Sequence, residues 1–404
     1  MMKILALSPR PVWPMHDGAT VATVRCLSGL AAAGADVTLL SMRTEKHPLK
    51  DLSGTKQSHQ YLSNYNEITV STRISPPAML INLMFSDKPY DLTRFRSKTF
   101  SSTLASILNG SDFDLIHCEG LVFALYLDEI RKHTGAPVIL RAHNLEHKIR
   151  KMMAESESSP FRKAYLLNLS HRLLKLEREA ALMFDALVPI SDPDSQWFSG
   201  VAPEKPLFVS MTGTDEVEYI PEPETGSLRV GFIGSMDWQP NAEGINWFIE
   251  SVWPLVLEKV PGVTLHVAGR GLRHPDVILS AGKDIFCEGE PDDARTFIAS
   301  NHVMISPLFT GSGIRIKIIE AMSTGRPVVA TTVAVAGLIA ENGRELTVAD
   351  DAGSFSDALV KYLANPELRY TSGHAATELV RREYDNRTLT AQLLEFYKGL
   401  TRGS

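Results

Sequence analysis

Cysteine is scarce in this chain: three in 404 residues, Cys26, Cys118 and Cys287, with no CxxC pair. A disulfide framework and a cysteine zinc site are thereby excluded, and a reducing compartment fits best. Cys118 and Cys287 fall in apolar, strand-like runs, so both are expected to be small buried hydrophobes. An excess of positive charge is also lacking. The 41 Lys and Arg against 47 Asp and Glu leave a net charge of −6, which argues against a general nucleic-acid binder. No apolar run approaches the roughly 20 residues of a membrane span. The nearest, "PPAMLINLMF", is about half that length and contains Asn82. The opening "MMKILALSPRP" has one Lys and an apolar run too short for a signal-peptide core, so a cytoplasmic location is expected. GxGxxG is absent, which removes the dinucleotide fingerprint; no GKS or GKT follows a glycine loop, which removes Walker A. HExxH is absent too, and His143 with His147 has no evident third ligand, so no metal site is expected.

What is present is an ordinary globular composition, 44% hydrophobic and 22% charged. The length implies two domains. "KILAL" is a continuous apolar run of the kind found in a parallel strand covered on both faces. A Pro-rich loop, Ser8–Gly18, leads to "ATVATVRCLSGLAAAG", whose apolar residues recur at helical spacing, and then to the strand "ADVTLLS". The same plan restarts at "LRVGFIG", followed by a polar loop, a helical pattern that Pro254 should bend or break, and the strand "VTLHVAG". Two βαβ beginnings predict an α/β protein of two doubly wound parallel-sheet domains. They are placed at residues 1–215 and 226–385, with an acidic, Pro-containing linker between and an amphipathic helix at 386–402.

Several loops fall where such sheets bind ligands, at the carboxyl ends of strands. Gly18 closes the first loop and would let backbone approach a phosphate or sugar. His143 follows the strand "PVIL" and offers one donor and one acceptor. Gly234 and Ser235 place small residues before a helix, with Asp237 or Asn241 expected to cap it.

The richest stretch is "FTGSGIRIKIIEAMSTGRPVVAT", Phe309–Thr331. Gly311-Ser312-Gly313 turns out of the strand "HVMISPL" into a helix predicted from about Ile314 to Ser323. Arg315 and Lys317 put two cations at the positive end of the helix dipole, an unfavourable arrangement that an anionic ligand such as a diphosphate would relieve. A surface ion pair between Lys317 and Glu320 is the alternative. Glu320, further along, can accept two hydrogen bonds from a ribose diol.

Together with "GFIGSMDWQPNAEGINWFIESVWP" and the terminal helix, this stretch resembles the GT-B glycosyltransferases of the retaining family-4 type, over nearly the whole chain. The likeness is greatest to bacterial sugar transferases of exopolysaccharide and surface-glycan clusters. The resemblance implies two Rossmann-like domains facing a cleft, the first binding the acceptor and the second the nucleotide-sugar donor, with the terminal helix crossing back to the first. It implies that Glu320 binds the donor ribose, that Arg315 and Lys317 hold the diphosphate, that Gly18 lies near it, that His143 lies near the transferred sugar, and that Glu290 belongs to the loop contacting the base. His143, Arg315, Lys317 and Glu320 are thus the expected catalytic group. Gly18, Gly234, Ser235, Glu290, Gly311, Ser312 and Gly313, with the last three of that group, are the expected donor contacts. Two departures stand out. Ser312 occupies the place of a motif glutamate that contacts the donor sugar, and the loop "SMDWQPN" carries no cation where many members have an Arg and a Lys.

The function this implies is transfer of a sugar, with retention, from a nucleotide-diphosphate sugar, UDP- or GDP-linked, to a glycan, lipid-linked or small acceptor. No further cofactor, no metal and no nucleic acid are expected. A GT-B epimerase or a non-catalytic binding subunit is the alternative, suggested by Ser312. Lys148–Glu179, with eight Lys and Arg against four Glu and a leucine-rich helical run, reads as a solvated cap on the first domain, with a peripheral contact to anionic membrane as the alternative.

Overall fold

A computed structural model describes residues 1–15, 18–45, 60–224, 226–272, 283–311 and 313–401. The chain divides into two compact units, Met1–Thr212 with Asn386–Ser404, and Gly213–Asp385.

The first unit is built on a parallel sheet of β1 (Lys3–Ser8), β2 (Asp36–Arg43), β3 (Asn64–Thr69), β4 (Leu115–Glu119), β5 (Val138–Ala142) and β6 (Ala186–Pro189), in the order β3-β2-β1-β4-β5-β6. The alternation of β1 explains its apolar run Ile4–Leu7. Leu5 and Leu7 enter one core with Phe100 and Phe123, while Ile4 and Ala6 enter a second on the opposite face with Val37 and Leu39. That second core is completed by Leu393, Leu394 and Tyr397 of the helix Asn386–Thr401.

The second unit repeats the plan with β7 (Arg229–Ile233), β8 (Thr264–Ala268), β9 (Ile285–Gly289), β10 (Val303–Ser306), β11 (Val328–Ala330) and β12 (Thr347–Val348), ordered β12-β11-β10-β7-β8-β9. The expected pair of doubly wound parallel sheets is therefore what the chain forms. In both units the strand order reverses between the first and fourth strands, β1 and β4 or β7 and β10, which is where such sheets open a crevice at their carboxyl ends.

Three local expectations change. Cys287 is exposed, unlike buried Cys26 and Cys118, because β9 is an edge strand with an open face. The helix around Pro254 stays continuous. A π turn, Phe248–Val252, joins Gln239–Trp247 to Trp253–Lys259 and places Pro254 in the first turn of the latter, where its missing N–H is tolerated. The acidic segment after Thr212 is strapped to its unit rather than loose. Glu218 and Ile220 donate backbone N–H groups to Ser323 and Thr324, and Glu222 pairs with both Nε and Nη2 of Arg369 at 2.7 and 2.9 Å.

Candidate functional site

The crevice of the second unit lies at the carboxyl ends of β7 and β10, which are hydrogen-bonded neighbours. Gly234 and Ser235 follow β7, and the turn containing Gly311 and Gly313 follows β10. The helix after that turn runs Ile316–Ser323, two residues later than predicted, with Arg315 as its N-cap in extended backbone (φ −88°, ψ 91°). Arg315 is thus released from the helical 100° step that would point it away from Lys317. Its guanidinium carbon lies 5.0 Å from the Trp238 ring, a cation–π contact.

Lys317 Nζ donates to Asn241 Oδ1 at 3.0 Å and stands 4.5 Å from the Phe232 ring. Among the described residues no carboxylate lies within ion-pair distance of Lys317, so the alternative pair with Glu320 does not form. Burial, and then the charge of Arg315, pushes the Lys317 ammonium down to about 7. Burial lowers Arg315 to about 10. Two partly desolvated cations with mutual repulsion form a site that gains from an anion.

The expected side-chain cap of the next helix is absent. Trp238 is its N-cap and no side chain caps it. Asn241 instead bridges the site, donating from Nδ2 to the Ser235 carbonyl at 2.8 Å while accepting from Lys317. Asp237 pairs with Arg270 at 2.7 Å. Gly234 is small for a reason: a Cβ there would lie 2.7 Å from Asn241 Nδ2. Gly311 has φ 115°, and a Cβ there would come within 2.7 Å of Arg315 Nη2 and 2.9 Å of Trp238. Gly311→Ala should therefore displace the Arg315–Trp238 pair, and a roughly tenfold loss of affinity for a diphosphate anion in titration calorimetry is expected; unchanged affinity would mean that these cations do not form an anion site.

Glu320 is half-buried on the same helix, and Glu290 is exposed just beyond β9, two strands from β7. Ser312 lies outside the described residues.

In the first unit Gly18 is the opening residue of the helix Gly18–Ala32, which follows β1. His143 follows β5, as predicted, and joins a buried network that the sequence reading did not anticipate. Its Nε2 contacts Glu119 Oε2, Arg141 Nη1 donates to the same carboxylate at 3.1 Å, and His117 Nε2 meets Glu119 Oε1 at 2.9 Å. His117 Nδ1 is in turn 2.8 Å from the Tyr397 hydroxyl. Burial alone would raise the Glu119 carboxyl, but Arg141, His143 and His117 outweigh it and hold the carboxyl well below its usual range. His143 is lowered, chiefly by burial against the opposing pull of Glu119. With an ionised Glu119 accepting, Nε2 carries the proton.

His147 goes to a different carboxylate, Glu177, so the two histidines do not make a common site. Cys26, His117 and Glu119 converge within 4.8 Å. The Arg141 guanidinium already neutralises Glu119, and burial pushes the Cys26 thiol up to about 12, so this cluster suits hydrogen bonding better than a metal ion.

The signal for Glu119 and Arg141 was available: each is a charge near the end of an otherwise apolar buried strand, "LIHCE" and "VILRA", where an ion must be paired. Asn241 and Trp238 carried no such signal.

Residues 227–365, which include β7 through β12 and both loops of the crevice, match the family described as Glycosyl transferases group 1. A phosphatidyl-myo-inositol mannosyltransferase of Mycobacterium leprae (strain TN) is 32% identical over 180 residues, 43% of this chain and 47% of that protein. An uncharacterized 44.6 kDa protein in the cps region of Klebsiella pneumoniae is 22% identical across 98% of this chain and 100% of its own length. Among solved structures, Anabaena HepE in complex with UDP-glucose superposes with a TM-score of 0.66 at 16% identity, covering 99% of this chain and 100% of that one. The two-sheet GT-B architecture is thereby common to both. The matched region carries the Arg315–Trp238 and Lys317–Asn241 contacts; the His143 network lies outside it, in the first unit.

Proposed function

We propose that this protein is a glycosyltransferase that moves a sugar from a nucleotide-diphosphate donor with retention at the anomeric carbon. The observation that carries the reading is the cationic pair at the carboxyl ends of β7 and β10, Arg315 against Trp238 and Lys317 against Asn241, inside the group 1 domain. In the proposed complex the diphosphate lies against these cations and the loop amides of Gly311 and Gly313, Glu320 takes the ribose hydroxyls, and the Glu290 loop takes the base. Stabilisation of the leaving diphosphate by fixed cations supplies the chemistry a metal would otherwise provide. His143, held by the Glu119 carboxylate, takes the place near the transferred sugar in this reading. UDP is the first donor to try, since the HepE structure holds UDP-glucose. A surface-glycan or lipid-linked acceptor accords with the names of the Klebsiella and Mycobacterium relatives, and on the same reading the reaction belongs in the cytoplasm.

The test is a panel of UDP- and GDP-sugars with and without acceptors, following released nucleoside diphosphate and, by NMR, the anomeric configuration of product. Release with a retained anomer is expected. An inverted product would refute retention, an epimerised sugar would indicate an epimerase, and no binding of any donor would sink the transferase reading. Glu320→Ala should weaken donor binding about 10- to 100-fold in the same assay, the loss expected when a charged acceptor of hydrogen bonds is removed.

A further inference from the structure

We propose that the helix Pro76–Phe85 is a bilayer-docking element that seats the first unit on an anionic membrane surface. Nine of its ten residues are apolar and none is buried. Leu80, Ile81, Met84 and Phe85 are 54%, 57%, 59% and 80% exposed, and Ile74 just before the helix is 66% exposed. Exposed apolar residues scattered singly are normal; this many on one short element are not.

The helix is held to the protein by polar staples instead of by apolar burial. Ser75 caps its start and receives support from Tyr90, whose hydroxyl accepts the Ser75 N–H at 2.9 Å. At its other end Arg172 donates to the Asn82 carbonyl at 3.1 Å and to the Leu83 carbonyl at 2.7 Å. Such a helix turns its polar groups to the protein and its apolar groups outward, the reverse of a surface helix in water. Ten residues span about 15 Å, too short to cross a bilayer and long enough to lie in its interface.

Charge chooses the occupant. From Arg73 to Lys98 there are five Lys and Arg against two Asp, in a chain of net charge −6. Phe161, 88% exposed, opens the helix Pro160–Met183 three turns before Arg172 on the same stripe, and Arg162 and Lys163 follow it, both exposed. An apolar face ringed by cations complements anionic headgroups. A second copy using the same face would bring like charges together. The alternative of a lipid face on the leucine-rich run at 148–179 is not favoured, since Leu169, Leu173 and Leu176 are buried in the core, and the insertion falls to Pro76–Phe85.

The full chain should co-sediment with phosphatidylcholine vesicles containing phosphatidylglycerol, and bind pure phosphatidylcholine roughly tenfold more weakly. Phe85→Trp should show blue-shifted fluorescence on adding the anionic vesicles. The double variant Leu80→Ser/Phe85→Ser should lose at least about tenfold in vesicle affinity, with its melting temperature and its turnover on a soluble acceptor unchanged. No sedimentation of the wild type, or full binding by the double variant, would overturn the proposal. So would a concentration-dependent dimer abolished by the double variant, which would make the face a protein interface. The vesicle arms use no donor, so their failure is separate from failure of the transferase reading.

Discussion

Lys317→Met should make the protein more stable and nearly inactive at once. The ammonium is held at about 7 by burial and by Arg315, against an ordinary value near 10.5 in the unfolded chain. A folded pKa below the unfolded one costs stability at any pH below the unfolded value. The cost grows as pH falls from about 10.5 to about 7 and is constant below that, and each tenfold loss of proton affinity is worth about 1.4 kcal/mol. A cost of order 4 kcal/mol follows near neutrality, and a methionine of similar volume does not carry it. We expect the variant to melt several degrees higher at pH 7, with the advantage shrinking toward pH 9, in thermal scans at both values. Donor turnover should fall by roughly 10²–10³, the loss typical of removing one fixed donor from a developing negative charge. Full turnover would remove Lys317 from the proposed donor contacts, and an unchanged melting temperature would mean that the cation is not strained at rest. Binding of the diphosphate should also protonate the wild-type lysine, so calorimetry above pH 7 in buffers of different ionisation enthalpy should show proton uptake that the methionine variant lacks.

Glu119→Gln is the second large effect. The carboxylate answers Arg141, His117 and His143 at once inside the first unit. Replacing it with a neutral amide of nearly the same shape leaves the Arg141 charge buried without its counter-ion, which costs about 3–5 kcal/mol. It also removes the anion that sets the His143 tautomer. Under the proposed reading kcat should drop about 10- to 100-fold with donor KM little changed, because a small misplacement of a reacting group is expensive while the donor contacts lie elsewhere. The stability that Glu119 provides is present above its unfolded pKa and lost as pH falls through the lower folded value, so the wild type and Glu119→Gln should converge in melting temperature at strongly acid pH. Tyr397→Phe is the milder companion. It deletes one hydrogen bond to His117, about 1 kcal/mol, and should lower kcat in the same direction without unfolding the unit. Unaltered kcat in both variants would reduce the network to a purely structural role.

The pattern of which residues the sequence disclosed follows from chemistry. Strand β1 was legible because a strand covered on both faces must be apolar throughout. The turn at Gly311 and the helix after it were legible because glycines, an apolar 3.6-residue rhythm and a terminal glycine fall at the right intervals. The start of that helix was misplaced by two residues because Ile314 continues the apolar rhythm while its backbone belongs to the turn. The Asn241 bridge was not legible. An asparagine near a helix start reads as a cap, and only the folded pairing of β7 with β10 brings Lys317, which follows β10, up to it. The length of Pro76–Phe85 and its Asn82 show only that it is too short and too polar to span a membrane, whereas its meaning lies in which side of it meets the protein.

The helix Asn386–Thr401 has one more consequence, for biosynthesis. Its Leu393, Leu394 and Tyr397 complete one core of the first unit, and Tyr397 anchors His117. Every residue of Gly213–Asp385 is translated before they are. Domains usually mature on the ribosome in the order of synthesis, yet here the earlier unit must wait for the later one. A nascent chain that has exposed residues through Asp385 but not Tyr397 should carry a folded second unit behind an unfinished first one. Arrest-peptide force measurements on staged nascent chains would register that inverted order as a late release of tension, after the whole of the second unit has emerged.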